Sequence, residues 1–174
     1  MKQFFLALIL VLAVSSCDDG DIIVTTFDFE AIELDYCEVI EGYVFYKINN
    51  TNLETLSFKL TAQDSILYQE DTLIFTIDGT TNAVNYRTYQ NEIPASYFCS
   101  SVPPITPEVD RDYVSNQGSA TLRTQITDTT YSGVGIEQDT TFVFTTSIIL
   151  NNIKLESQNE VIIRETIDLG LINN

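Results

Sequence analysis

The stretch LSFKLTA at residues 56–62 alternates apolar Leu56, Phe58 and Leu60 with polar side chains. Successive side chains of a β-strand point to opposite faces of a sheet, so a period of two predicts a strand with one buried face. The same alternation recurs further along the chain, in TLIFTID at 72–78, ATLRTQIT at 120–127, TTFVFTTSIIL at 140–150 and EVIIRETIDL at 160–169. No stretch after residue 21 shows the apolar stripe of an amphipathic helix.

Short turn signals separate the predicted strands. Asp78-Gly79 follows one of them, and SQN at 157–159 divides two others. The segment GYVFYKIN at 42–49 is apolar or aromatic on both faces, which predicts a strand in the middle of its sheet. About eight to ten short strands without intervening helices favour an all-β fold, a single antiparallel β-sandwich. Immunoglobulin-like and jelly-roll topologies both fit, although the Cys and Trp spacing of antibody domains is missing.

The first residues, MKQFFLALILVLAVSSC, have a different composition. Lys2 is followed by an unbroken apolar run from Phe4 to Val14. A lasting membrane span needs about 20 apolar residues, and this run is shorter. A cation, a short apolar core and small residues before a cut are typical of a secretory signal. We therefore expect residues 1–16 to form a cleaved signal helix that does not belong to the folded domain.

The end of this segment, Val14-Ser15-Ser16-Cys17, resembles the lipobox of bacterial lipoproteins. The resemblance implies that signal peptidase II cuts before Cys17 and that the Cys17 sulfur is lipidated, because a thiolate is a strong nucleophile toward the lipid donor. Ser15 departs mildly from the small residue usual at its position. The alternative is an ordinary cleaved signal followed by an incidental cysteine.

Three acids follow the cysteine, at Asp18, Asp19 and Asp21. This CDDGD stretch resembles the lipoprotein export signal of Bacteroidetes, which directs proteins to the outer face of the outer membrane. The remainder resembles flavobacterial surface lipoproteins in composition, which implies no activity. The alternative is a polar tether that leaves the domain facing the periplasm. We expect a signal peptide at 1–16, a lipidated cysteine and acidic tether at 17–21, and a β-sandwich at 22–174.

The composition excludes several classes of function. Eight Lys and Arg face 25 Asp and Glu, a net charge of −17, and signal cleavage removes Lys2 as well. Nucleic-acid binding requires clustered cations that replace phosphate counterions, so we expect no nucleic-acid partner. Histidine and tryptophan are absent, which removes His-based catalysis and most zinc sites. We expect no cofactor and no enzymatic activity, with a carboxylate-based hydrolase as the least favoured alternative.

Two cysteines remain besides Cys17, namely Cys37 and Cys99. Outside the inner membrane an isolated pair of cysteines usually forms a disulfide. Two buried free thiols or a metal-binding pair are the alternatives, and the sequence offers no further soft ligand for a metal. We expect the disulfide, which would staple a sheet edge or join two sheets.

All four prolines lie between Pro94 and Pro107. Proline lacks an amide proton for a β-ladder, so this loop is expected to cross between sheets or cover one end of the sandwich. Loops on a rigid scaffold often form binding surfaces. The candidate binding residues in and beside it are Tyr86, Tyr89, Tyr97 and Tyr113. The alternative is that these tyrosines cover the edge of the core.

Two further patterns suggest ligands or modification. Glu108, Asp110 and Asp112 are a weak calcium candidate, although the spacing differs from known calcium loops and a solvated acidic loop is the default. Ser65 and Thr72 each follow an aspartate and resemble Bacteroidetes O-glycosylation sites.

The sequence thus favours a lipid-anchored, cell-surface outer-membrane lipoprotein that acts as a non-catalytic interaction or structural module of the envelope. Its expected partners are the membrane, through the lipid anchor, and another envelope protein. A glycan- or calcium-binding surface module is the alternative.

Overall fold

The computed structural model describes residues 27–62, 65–100, 102, 104–132, 139–158 and 160–174. The predicted signal peptide, Cys17 and the acidic tether lie outside these residues. The described strands are β1 Asp35–Val39, β2 Gly42–Asn49, β3 Glu54–Thr61, β4 Asp71–Thr76, β5 Ala83–Tyr89, β6 Val109–Ser115, β7 Ser119–Ser132, β8 Asp139–Ser157 and β9 Glu160–Asn173. A short 3₁₀ helix, Ala95–Tyr97, interrupts the loop between β5 and β6.

The strands form one open antiparallel sheet of nine strands, which confirms the all-β prediction. Their order is β1-β2-β3-β5-β6-β8-β7-β4, and β9 pairs with the other edge of β8. The 19-residue β8 pairs with β7 along its first part and with β6 near its end. It therefore joins one half of the sheet, β1 to β6 without β4, to the other half, which contains β4, β7, β8 and β9.

A single apolar cluster takes side chains from both halves, which makes the open sheet sandwich-like. The predicted inward residues Leu56, Phe58 and Leu60 are fully buried. Phe58 lies between Phe45 on β2 and Val84 on β5 in the ladder. The remaining members include Tyr43, Tyr86, Tyr113, Leu122, Ile148, Leu150, Ile153, Leu155 and Leu169. The period of two therefore identified the inner face correctly.

Strand β2 has both faces apolar for a reason that the sequence pattern does not reveal. Its inner face joins the core, whereas its outer face is covered by the loop between β5 and β6. The Phe98 ring of that loop stacks on Tyr46, with ring centroids 4.7 Å apart. Burial, together with the Asp35 carboxylate, raises the pKa of Tyr46 to about 12.

The proline-containing loop does not cross between sheets, so the first of the two alternatives expected for it is wrong. It connects β5 to β6, which are neighbours in the ladder, and folds back over the outer face of their half of the sheet. Ile93 is buried there, and its amide donates to Asn50 Oδ1 at 2.8 Å. The Asn50 amide donates in return to the Ile93 carbonyl at 3.1 Å.

Cys37 and Cys99 are joined in a disulfide, as predicted, with their Cα atoms 5.6 Å apart. Cys37 lies in β1, a strand at the end of the described sheet order, and Cys99 lies in the covering loop shortly after the 3₁₀ helix. The bridge therefore fastens the loop to an edge of the sheet.

Replacing both cysteines by serine should lower the free energy of unfolding of the oxidised protein by about 4 kcal/mol, because the bridge restricts the unfolded chain. Denaturant unfolding with and without reductant measures this difference. The control is the natural sequence in reductant, whose stability should match that of Cys37→Ser/Cys99→Ser. A variant less stable than the reduced natural protein would instead indicate lost packing.

Candidate functional site

The four tyrosines proposed as binding residues do not form an exposed surface. Tyr86, Tyr89 and Tyr113 are buried, and Tyr97 is half-buried. Tyr86 and Tyr113 pack against each other within the core, with ring centroids 5.4 Å apart. Tyr97, in the covering loop, meets Tyr89 edge to face, with ring centroids 5.4 Å apart. These side chains are therefore part of the packing, which is the alternative that the sequence left open.

The hydroxyls of the buried tyrosines have internal partners. Tyr86 donates to Glu54 Oε2 at 2.6 Å, and Tyr113 donates to the Glu160 carboxylate. Burial raises the pKa of both phenols, and the neighbouring carboxylates raise it further. Both hydroxyls therefore remain protonated donors at neutral pH.

Of the two acids that accept hydrogen bonds from these tyrosines, Glu54 is the more deeply buried, with 1% of its surface exposed. Its Oε1 atom accepts from the Asn52 amide at 3.0 Å and from the Asn49 amide at 3.5 Å. A buried carboxylate is tolerated when donors surround it. This arrangement ties the turn between β2 and β3 to β5 and leaves both Glu54 oxygens engaged inside the protein.

Tyr86→Phe should lower the free energy of unfolding by about 1–3 kcal/mol, because Glu54 would stay buried without one of its donors. Denaturant unfolding measures the change. Tyr131→Phe removes a hydroxyl from an exposed side chain and serves as the matched control, with little expected effect. Equal stabilities for the two variants would show that the Glu54 hydrogen bond contributes nothing.

The weak calcium candidates lie along a strand edge rather than in a loop. Asp110 and Asp112 belong to β6, and Glu108 directly precedes it. Both Asp112 oxygens accept from Arg87, at 2.9 and 3.0 Å. Across the described ranges, no group of three or more His, Cys, Asp or Glu is arranged to hold a metal ion.

A cleft of about 600 Å³ separates the segment before β1 from the end of β9. Lys47, only 4% exposed, reaches its lining and donates to the Phe29 carbonyl at 2.9 Å. Burial lowers the pKa of this lysine. Because Glu30, Glu33 and Asp35 also line the cleft, it offers an anion little attraction. The contact of Lys47 fastens the segment before β1 to the sheet.

Both proposed glycosylation residues are exposed. Ser65 lies in a turn, and Thr72 lies in β4, whose described pairing is with β7 alone. The Thr72 amide bonds to Asp71 Oδ1 at 2.7 Å. Exposure leaves both hydroxyls accessible to a transferase, and glycosylation itself stays a prediction.

The β7–β8 hairpin extends beyond the rest of the sheet. Strand β4 pairs with β7 only as far as Thr124, and β9 pairs with β8 only from Thr145 onward. Beyond those points β7 and β8 pair with each other alone among the described strands, apart from two backbone hydrogen bonds between Phe144 and Asn174. We call this part, 126–132 with 139–144, the ribbon.

One face of the ribbon is apolar and uncharged. Residues opposite each other in a ladder share a face, and Ile126 pairs with Phe144, Thr129 with Phe142 and Tyr131 with Thr140. A register shift after Ile126 is what brings Tyr131 onto this face. We call its large side chains, together with Tyr68, the ribbon stripe: Tyr68, Ile126, Tyr131, Phe142 and Phe144.

The ribbon stripe is exposed although it continues the core face of the same strands. Tyr131 is 69% exposed, Phe142 48%, Tyr68 47% and Ile126 38%. The ring of Phe144 contacts Phe142 at 6.3 Å and Tyr68 at 6.5 Å between centroids. The acids of the ribbon, Asp128 and Asp139, pair with residues of the opposite face. The stripe is therefore an apolar surface from which the ribbon's own acids point away, bordered on the same face by Asp71, which pairs with Thr124 two residues before Ile126.

Sequence reasoning missed this surface. The alternation of Phe142 and Phe144 with threonine correctly predicts a strand, but it does not show that the covering half of the sheet ends before these residues. The sequence carries one local sign of it. The alternating pattern runs for more residues in β7 and β8 than in β4, the strand that pairs with β7.

Comparisons with known proteins add no relative: no family model, no curated protein and no solved structure matches this chain. Within the described residues, no helix has the length and apolar character to cross a membrane.

Proposed function

We propose that this chain is a lipid-anchored lipoprotein of the outer membrane that serves as a non-catalytic protein-interaction module of the cell envelope. The exposed ribbon stripe supports the interaction part of this proposal. The N-terminal pattern ending in Val14-Ser15-Ser16-Cys17, followed by acids, supports the location.

The ribbon stripe favours a protein partner on energetic grounds. A two-stranded ribbon is marginally stable in water when neither face is covered. Soluble monomers rarely expose large contiguous apolar patches, and such patches commonly mark interaction sites. A partner that covers the stripe would bury several aromatic side chains and also stabilise the ribbon.

The polar groups of the domain support a non-catalytic role. Glu54 and Glu160, the acids nearest the buried tyrosines, accept hydrogen bonds from Tyr86 and Tyr113. Arg111 also pairs with Glu160 at 3.1 Å. These contacts satisfy the acids within the fold and tie its strands together. A glycan-binding module is the second candidate, because the exposed rings of Tyr131 and Phe142 could also stack on sugars.

The lipid anchor would keep the domain near the membrane. Only nine residues, 18–26, separate Cys17 from Phe27, the first described residue, and the ten Cα–Cα steps between the two span at most about 35 Å when fully extended. The partner is therefore sought among proteins at the membrane surface.

Cys17→Ala should leave the precursor uncut and without lipid, because the thiol that accepts the lipid is lost. Mass spectrometry of the membrane fraction measures both outcomes. Asn at positions 18, 19 and 21 is the companion variant, which should be processed normally but become resistant to protease added to intact cells. Normal lipidation of Cys17→Ala would contradict the lipoprotein assignment, and unchanged shaving of the Asn variant would contradict the export signal.

A photo-reactive amino acid at position 142 should cross-link to a protein in intact cells, because Phe142 lies in the ribbon stripe. The matched control replaces Ile163, which is 66% exposed but pairs with Lys154 toward the other end of β8. Gel mobility and mass spectrometry of the products measure the result. Equal, low cross-linking at both positions would contradict a docking role for the stripe.

A further inference from the structure

We infer that the partner of the ribbon stripe is a second copy of this chain, with two ribbons stacked face to face about a two-fold axis. This inference rests on the proposed interaction function and names its partner.

The stripe has the chemistry of a surface that can pair with itself. Its side chains are apolar or aromatic and uncharged, and the two threonines that share the face, Thr129 and Thr140, are small and neutral. A two-fold interface brings the same patch together from both subunits, so it must be complementary to itself. Stacking through this face points Asp128 and Asp139 of both copies outward, away from each other.

A second ribbon would supply the covering layer that the ribbon stripe lacks among the described residues. Toward the body of the protein the same face is covered, since Leu122, Ile148 and Leu150 are buried in the common core. The turn before β4 extends this cover, with Leu67 fully buried and the Thr124 hydroxyl donating to the Ile66 carbonyl at 3.2 Å. Past that turn nothing described covers the ribbon. Two ribbons about 10 Å apart would reproduce ordinary sheet packing.

The available area indicates a weak dimer. A buried aromatic side chain removes roughly 150–250 Å² from water, and the stripe side chains are partly exposed already. Two stripes together would bury on the order of 1,000 Å², just below the range of about 1,200–2,000 Å² for stable interfaces. We therefore expect association that is reversible and dependent on concentration.

The charge of the chain adds a diagnostic salt dependence. The full chain has a net charge of −17, and the mature chain without Lys2 is more negative still, whereas the side chains of the stripe are uncharged. Salt screens repulsion between the copies over about 10 Å at 0.1 M ionic strength. Added salt should therefore strengthen this dimer, although it would weaken an interface that depends on ion pairs.

Sedimentation velocity on the mature chain from residue 17, with Cys17→Ser so that no lipid drives association, tests the inference. We expect a monomer–dimer equilibrium that tightens with salt. Tyr131→Ser/Phe142→Ser should weaken it at least about tenfold. The matched control, Val161→Ser/Ile163→Ser, removes two exposed apolar side chains elsewhere and should leave it unchanged. A monomer at all concentrations up to roughly 1 mM, or equal effects of both variants, would overturn the inference.

A second measurement does not depend on the stability of those variants. In the same Cys17→Ser chain, Thr129→Cys places the one free thiol at the centre of the stripe, because Cys37 and Cys99 are already bonded. Mild oxidation should give a disulfide-linked dimer, whereas Val161→Cys should not. Failure of Thr129→Cys to cross-link faster than Val161→Cys would count against face-to-face stacking.

The outcomes separate this inference from the proposed function. A monomer in solution whose position 142 still cross-links to a different protein in cells overturns the second-copy inference and leaves the interaction module standing. A monomer without any cross-linked protein overturns both.

Discussion

The fold depends on the pairing of β8 with three other strands. Its first part pairs with β7, its end pairs with β6, and its other edge pairs with β9. Without the contact of Val114 and Ser115 with β8, the two halves of the sheet would share no ladder among the described strands. This pairing brings the inner faces of both halves around one core. The covering loop, the disulfide and the hydrogen bonds of the buried tyrosines then stabilise the half of the sheet that contains β6.

The ribbon follows from the same strand. The first residues of β8 extend past the half of the sheet that covers the rest of its inner face. The alternation that places Ile148 and Leu150 in the core therefore continues toward Phe142 and Phe144 on a face that is left exposed. One pattern therefore produces a buried layer in one place and an uncovered one in another. That difference, rather than any polar cluster, is the reason for proposing the ribbon as a docking surface, because the buried acids are satisfied within the fold.

Sequence alone predicted the strands and the disulfide because both are local or pairwise properties. The period of two in LSFKLTA marks an inner face, and an isolated pair of cysteines favours a bridge. Tyr89 and Tyr97 were harder to place, since alternation does not tell that a loop covers the outer face of this half of the sheet. The ribbon required knowing where β4 and β9 stop and where the register shifts after Ile126. The lipoprotein features lie outside the described residues and stay predictions.

We propose that the ribbon serves docking and is dispensable for folding. Replacing residues 129–142 by an Asn-Gly turn would close the hairpin after Asp128 and Val143, which already pair. Denaturant unfolding of this variant, together with its sedimentation, tests the claim most directly. We predict an unchanged free energy of unfolding of the monomer and complete loss of association. A large loss of stability would contradict the account, because the ribbon would then belong to the folding core.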